Sequence, residues 1–373
     1  MNLYLGDHYM KTRHLLSGLA VAAMLVQPSI ALSRSMEASP APLYPVAPYI
    51  VDKGVESVYP SVAGQFLVFG QRSKGDEYTV NRVSKSSPSS SRYQLKPLAK
   101  IDNMRFGVAI KDGSIGYVSN RVGPTSAWMW QGKGDGQVAI GSLATFRGGL
   151  APYNLNASSD GKVWCFDTTF EKQRYNQMLN EFSHFPHHEL VGQQWRTYDS
   201  DNFRIKTGYL ATKAGKKNKF DAPVLYVFSR QNSQLVMVPN AFDGAVSPDG
   251  KSVAFVRETN GNYDIWMQDV DGSDLVQLTN SEYGDFEPAW SSDGKMLLFV
   301  SNRDSGGDVH KTSIYMLEIS SNRETRLTNS PKATDGGPAW LDSNSIVFHS
   351  NRSLTNANGG TSSDWNIWKL DIK

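Results

Sequence analysis

A unit of about 45 residues that returns along most of the chain constrains this sequence more than any other feature. "FVSNR" at Phe299–Arg303 reappears as "FHSNR" at Phe348–Arg352 and as "YVSNR" at Tyr117–Arg121. The fullest copy, Asp285–Ser330, divides into four short apolar runs, "EPAWS", "MLLFVS", "SIYMLEI" and "TRLTN". The turns between them, "SDGK", "NRDSGGDVHKT" and "SSNRE", carry the Gly, Asp, Asn and Ser that hairpins use. Copies start near residues 60, 107, 155, 200, 244, 288 and 338. Four strands per unit at that period predict an all-β fold, a β-propeller of seven four-stranded blades. Six blades are the alternative, because Phe170–Gly208 is irregular.

The chain ends predict how the ring closes. The last copy stops at Lys373 after its third strand, with no counterpart of "TRLTN". Ala47–Val58 precedes the first copy and has no unit of its own. This N-terminal segment is expected to supply the outermost strand of the last blade, which removes two open sheet edges. The propeller then occupies residues 47–373 as a single domain.

Ahead of it, Arg34–Val46 reads as a Pro/Ala/Ser-rich linker and residues 1–33 as a signal peptide. Lys11, Arg13 and His14 precede the apolar stretch Leu15–Val26, which is too short to span a bilayer comfortably. The small residues of Ser29–Ser33 offer cleavage after Ala31 or Ser33, and Met10 is the expected true start. No cysteine lies just after the apolar stretch, so a lipoprotein is not expected. The expected location is the periplasm or the exterior, with no integral membrane segment after cleavage. Cys165 is the single cysteine, which rules out an intrachain disulfide, and within "KVWCFD" it reads as a buried small hydrophobe. A formal net charge of +2 with scattered Lys and Arg argues against nucleic acid as a partner. The short run Lys213–Lys219 reads as a solvated loop.

"AVSPDGKSVAFVRETNGNYDIWMQDVDGSDLVQLTN" and "PAWSSDGKMLLFVSNR" resemble the repeats of TolB-type propellers, which run roughly Pro-x-Trp-Ser-Pro-Asp-Gly, strand, Ser-Asn-Arg, Asp-Ile-Tyr/Trp, Leu-Thr. The match is specific over Phe242–Lys373 and loosens toward the N-terminus. TolB itself carries an α/β domain before its propeller, and this chain has no room for one. The resemblance therefore implies the fold more than it implies TolB's role in the cell envelope.

Site candidates follow from the repeat. Ser-Asn-Arg closes the second strand of a blade and Asp-x-x-Pro-Ala-Trp opens the first, which puts both on one face of the ring. Arg303 and Arg352 can then reach Asp285, Asp335, Asp308 or Asp364, while Asn302 and Asn351 can bond backbone at the turn. Asp243, Asp285, Glu287 and Asp335 come from three consecutive units, and any left unpaired would give the funnel a negative potential suited to a basic peptide or a cation. Trp290 and Trp340 read as packing between blades. "DVDGSD" (Asp269–Asp274) reads as a hairpin turn, since it lacks the later ligands of a calcium loop. His184, His187 and His188 stand within five positions and are the weak candidates for a metal site; His310 and His349 replace other residues of the repeat. No cofactor is expected, with a divalent cation as the exception those histidines allow. No G-x-S-x-G nucleophile signature or phosphate-cradling loop occurs. The expected function is a monomeric, non-catalytic binding module for a protein or envelope polymer. The alternative is a carbohydrate-active lyase or hydrolase with carboxylates or His in the central funnel.

Overall fold

Each hairpin is folded by its own turn. At Ser247-Pro248-Asp249-Gly250 the Ser247 hydroxyl donates to Asp249 Oδ1 at 2.6 Å and accepts from Ser252 N–H at 3.0 Å. Gly250 sits at φ +72°, where a side chain is strained. The hydroxyls of Ser158 and Ser291 donate to Asp160 and Asp293 in the same way, so a Ser-x-Asp-Gly tetrapeptide is one local device used in three blades. "DVDGSD" is likewise a turn: Ser273 N–H donates to Asp271 Oδ1 at 2.8 Å and Gly272 takes φ +84°.

The computed structural model describes residues 44–73, 78–89, 92–96, 104–119, 126–134, 137–139, 154–170, 187–191, 194–198, 222–231, 234–259, 261–329, 332–357 and 360–372. They fall within one compact unit, Pro42–Lys373. The residues read as a signal peptide lie outside them. After β1 (Val46–Ile50), the first blade holds β2 (Val55–Ala63), β3 (Phe66–Ser73), β4 (Thr79–Ser84) and β5 (Tyr93–Gln94). The second holds β6 (Met104–Ala109), β7 (Ile115–Ser119), β8 (Ser126–Trp130) and β9 (Gln137–Ala139). The third is built from β10 (Leu155–Ala157), β11 (Val163–Phe170), β14 (Ala222–Ser229) and β15 (Gln234–Pro239), with β12 (His187–Val191) and β13 (Gln194–Tyr198) paired as a separate hairpin. The fourth runs β16 (Ala241–Val246), β17 (Ser252–Thr259), β18 (Asn262–Asp269) and β19 (Val276–Gln277). The fifth runs β20 (Asp285–Trp290), β21 (Met296–Ser301), β22 (Ser313–Glu318) and β23 (Arg323–Arg326). The sixth takes β24 (Asp335–Trp340), β25 (Ser345–Arg352) and β26 (Thr361–Asp371) and is completed by β1.

The blades number six, not seven. The unit expected to start near residue 200 does not exist, because β14 pairs along the whole of β11, from Phe170 opposite Ala222 to Val163 opposite Ser229. "PVLYVFSRQNSQLVMVP" is therefore the third and fourth strand of the blade that starts near 155. Residues 171–221 are an insertion between its second and third strands, and their length mimics one more repeat. "FRIKTGYLATK" lies outside the described residues.

Closure occurs as the chain ends predict. β1 runs antiparallel to β26, with Val46 opposite Leu370 and Pro48 opposite Trp368. The closing strand is shorter than expected, ending at Ile50 rather than Val58. A turn at Lys53-Gly54, with Gly54 at φ +73° and Val55 N–H donating to Asp52 O at 3.1 Å, starts β2 at Val55. Val55–Val58 thus belongs to the innermost strand of the first blade.

The core lies between blades. Val163, Cys165, Leu225 and Val236 of the third pack with Ala241, Val253 and Phe255 of the fourth. Leu298 and Ile314 of the fifth pack with Ile346, Phe348 and Trp368 of the sixth. Trp290 spans such a junction, donating its Nε1–H to Ala245 O at 2.9 Å. Trp340 packs against the fifth-to-sixth cluster, so both tryptophans serve packing. Between the second and third blades Trp164 lies so close to Gly116 that a Cβ there would stand 2.4 Å from the indole. Burial pushes the Cys165 thiol well above its ordinary pKa, with Asp167 adding to the effect, which leaves an inert hydrophobe.

Candidate functional site

The repeated Leu-Thr and Ser-Asn-Arg elements are absorbed by the blade. Thr279 and Thr328 each accept a backbone N–H, from Ile265 and Ile314, both at 2.9 Å. Asn302 Oδ1 accepts from Gly284 N–H at 2.9 Å and Asn351 Oδ1 from Thr334 N–H at 2.8 Å, which ties the end of the second strand to the entry of the first strand of the same blade. Arg303 Nη2 holds both oxygens of Asp285 at 3.0 and 2.9 Å, and its Nη1 reaches Glu324. Arg352 donates from Nε to Asp335 Oδ1 at 2.8 Å, from Nη2 to Oδ2, and from Nη1 to Ala357 O at 2.9 Å. Asp285, Asp335 and Arg352 are fully buried. Burial works against the charge on Arg303, but Asp285 and Glu324 outweigh it and hold the guanidinium above its ordinary pKa. Of the acids proposed as partners, Asp308 pairs instead with Lys311, and Asp364 accepts from Ser363 Oγ. Asn120 and Arg121 lie outside the described residues.

A ring of bulges forms the site proper. The first strands β2, β6, β10, β16, β20 and β24 each touch their counterparts in both neighbouring blades and so close around the axis. In five of them the register to the second strand shifts at one equivalent place: Val58/Ser61, Arg105/Val108, Phe242/Ala245, Phe286/Ala289 and Gly336/Ala339. The first bulged residue is Tyr59, Phe106, Asp243, Glu287 or Gly337, and Asn154 holds the same place ahead of β10. Tyr59, Asp243, Glu287 and Gly337 adopt φ of +52°, +50°, +53° and +54°. Non-glycine residues there carry strain of about 1 kcal/mol each. Sequence reasoning missed this ring. Its signal is the Pro or Gly that follows five of the six positions, at Pro60, Gly107, Gly244, Pro288 and Pro338, inside otherwise alternating strands.

Three junctions around the ring share one bond. A bulge turns its N–H sideways, and a side chain of the preceding blade accepts it. Asp243 N–H donates to Asp167 Oδ2 at 2.7 Å, Gly337 N–H to Glu287 Oε2 at 2.6 Å, and Tyr59 N–H to His349 Nδ1 at 3.2 Å. Asn154 Nδ2 bridges Asp167 at 2.9 Å and Asp243. Of the four carboxylates singled out from the sequence, Asp243 and Glu287 therefore reach the ring, while Asp285 and Asp335 stand one pleat back, each against an arginine. A Cβ on Gly336 would lie 2.7 Å from His349 Nε2 and 3.1 Å from Glu287 Oε2, so the glycine pair is what lets imidazole and carboxylate approach. His187 and His188 lie on β12, and His184 lies outside the described residues. Among the described residues no three His, Cys, Asp or Glu side chains converge as metal ligands would. Among them, too, no helix is long and apolar enough to cross a membrane.

Six four-stranded sheets around one axis, closed by the chain's own N-terminal strand and lined by bulges, define a six-bladed β-propeller. Its repeats carry the TolB pattern, and in them the chain is similar to TolB-type β-propellers. A TolB homolog of Chlorobium chlorochromatii is 35% identical over 159 residues, 40% of this chain and 32% of that protein. The Tol-Pal system protein TolB of Desulfosudis oleivorans is 28% identical over 108 residues, 29% of this chain and 22% of that one. A dipeptidyl-peptidase 5 of Porphyromonas gingivalis is 34% identical over 64 residues, covering 16% and 9%. The matches thus span a third or less of these relatives. No protein-family profile matches the chain. Among solved structures, TolB from Acinetobacter baumannii aligns at TM-score 0.46 and 13% identity over 86% of this chain and 65% of that one. An oligogalacturonate lyase in complex with manganese aligns at 0.47 and 11% over 88% and 96%.

Proposed function

We propose that this chain is an exported, non-catalytic binding module that captures a protein or cell-envelope partner on the face of the ring that carries the bulges. The observation behind this reading is the variation at one backbone position of a repeated scaffold. Tyr59, Phe106, Asn154, Asp243, Glu287 and Gly337 occupy the same place in six blades, while the residues that build the blades recur. Two of the six are carboxylates, Asp167 stands beside Asp243, and Asp285 and Asp335 are each paired with an arginine. A basic peptide segment suits that combination of carboxylate and aromatic side chains. The basic, apolar and small-residue order of Lys11–Ser33 supports export. The TolB relatives, one named for the Tol-Pal system, support an envelope partner.

The test is crosslinked capture from intact cells with the unmodified chain and an Asp243→Asn/Glu287→Gln pair. Both replacements keep an oxygen acceptor for the ring bonds. The pair is expected to lower capture about tenfold at low salt and flatten its salt dependence. Unchanged capture by a folded variant would sink this reading. Asp285 and Asp335 are left in place, since replacing them breaks buried ion pairs and tests the fold instead. A second reading, a carbohydrate-active lyase or hydrolase, is favoured by the meeting of His349 and Glu287 across Gly336. Turnover of acidic oligosaccharides, assayed with and without a divalent cation, separates the two.

A further inference from the structure

Of the three ring acceptors, Asp167 and Glu287 are carboxylates, whereas His349 is an imidazole, the side-chain type whose charge changes near neutral pH. Its surroundings fix which form is present. Nδ1 accepts the Tyr59 N–H, so it carries no proton, and the neutral ring holds its hydrogen on Nε2. The imidazole is 6% exposed, with the Tyr59 and Trp365 rings edge-on to it at 4.8 and 5.3 Å. A Cβ on Gly337 would stand 2.5 Å from Nδ1, so the ring fills the space where other blades keep a side chain. The bond it makes joins the last blade to the first, 290 residues apart in sequence.

We infer that His349 makes this closing junction sensitive to pH, loosening it as the pH falls through the imidazole range. The proton that ionises the ring must enter at Nδ1, where it meets an N–H donor rather than an acceptor. The ring then gives up the Tyr59 bond or turns out of its place beside Gly336 and Gly337. The groups facing it from each packed element bear on the sign. β20 contributes Glu287 on the Nε2 side, whose carboxylate favours a charged ring and opposes the effect. β2 contributes the Tyr59 ring and β26 the Trp365 ring, with Asp364 beside it in sequence. Asp335 of β24 is taken up by Arg352. Burial and the loss of the Tyr59 bond both favour the neutral ring, against the pull of Glu287. A histidine that must stay neutral to keep its bond contributes stability that is lost as the pH falls through the imidazole range.

The experiment compares melting of the full chain and His349→Gln between pH 7.5 and 5, with hydrogen exchange at the Tyr59 amide of the unmodified chain. Glutamine keeps an oxygen acceptor that does not titrate. The unmodified chain is expected to lose about 2–4 °C more than the variant over that interval. Exchange at Tyr59, corrected for its intrinsic pH dependence, is expected to rise about tenfold more than at Asp243, whose acceptor is Asp167. Parallel melting curves, or an unmodified chain that gains stability in acid, would overturn the inference. Should His349→Gln fail to fold, the exchange comparison alone decides: equal pH dependence at Tyr59 and Asp243 refutes it.

Discussion

Arg303 and Arg352 hold the same place in adjacent blades, and water separates their roles. The Arg303 side chain is 21% exposed and shares its charge between Asp285 and Glu324. Arg352 is sealed in with Asp335. Removing one partner of a sealed pair strands the other charge, at a cost of about 3–5 kcal/mol, whereas solvent can partly replace an accessible partner. Arg352→Ala is therefore expected to lose about 4 kcal/mol in urea unfolding and Arg303→Ala about half that. Equal losses would show that burial does not set the difference. That these arginines meet acids on one face was legible in the sequence, but which acids was not, since Asp308 and Asp364 stood open beside Asp285 and Asp335. The bulge ring was not. Tyr59, Asp243 and Glu287 take a left-handed backbone without being glycine, and the Pro or Gly after each marks a break in the strand without giving its hand.

At the scale of strands, the smallest element carries a large share of the fold's integrity. β1 covers the outer edge of β26, and Ile50 packs with Leu67, Phe69 and Val347 between the first and last blades. A chain that begins at Asp52 loses that ladder and the burial of Ile50 while keeping β2 whole. It is expected to lose several kcal/mol or to aggregate through the bared edge of β26. An unchanged melting temperature and solubility would refute the closing role of β1. The missing fourth strand in the last copy made this arrangement readable from sequence. The boundary at Ile50 was not, since Ala47–Val58 was read as one strand-like run and the break at Asp52-Lys53-Gly54 depends on a left-handed Gly54.

For the whole molecule, the repeat period gave the architecture and its one failure gave the wrong blade count. An insertion about as long as a repeat cannot be told from a repeat by counting. What distinguishes them is pairing, and Phe170 opposite Ala222 shows that the sheet of the third blade passes the insertion by. Replacing residues 171–221 with a short Asn-Gly hairpin turn is thus expected to leave a folded ring, with a melting temperature within about 5 °C of the parent. A seventh blade would make the same deletion collapse the protein, which circular dichroism and sedimentation would register. The fourth, fifth and sixth blades, whose copies are most regular, were legible nearly strand by strand.

Because Val46 pairs with Leu370, the first strand to leave the ribosome has no partner until nearly the last residues follow. At roughly 10 residues per second that wait is about half a minute, long against the microseconds in which a hairpin forms. Blades one to five can assemble in order as they emerge, but the ring stays an open arc with an idle N-terminal strand. A chain interrupted anywhere before β26 is left with two unmatched edges, and full-length copies at high concentration can exchange β1 between them before either arc shuts.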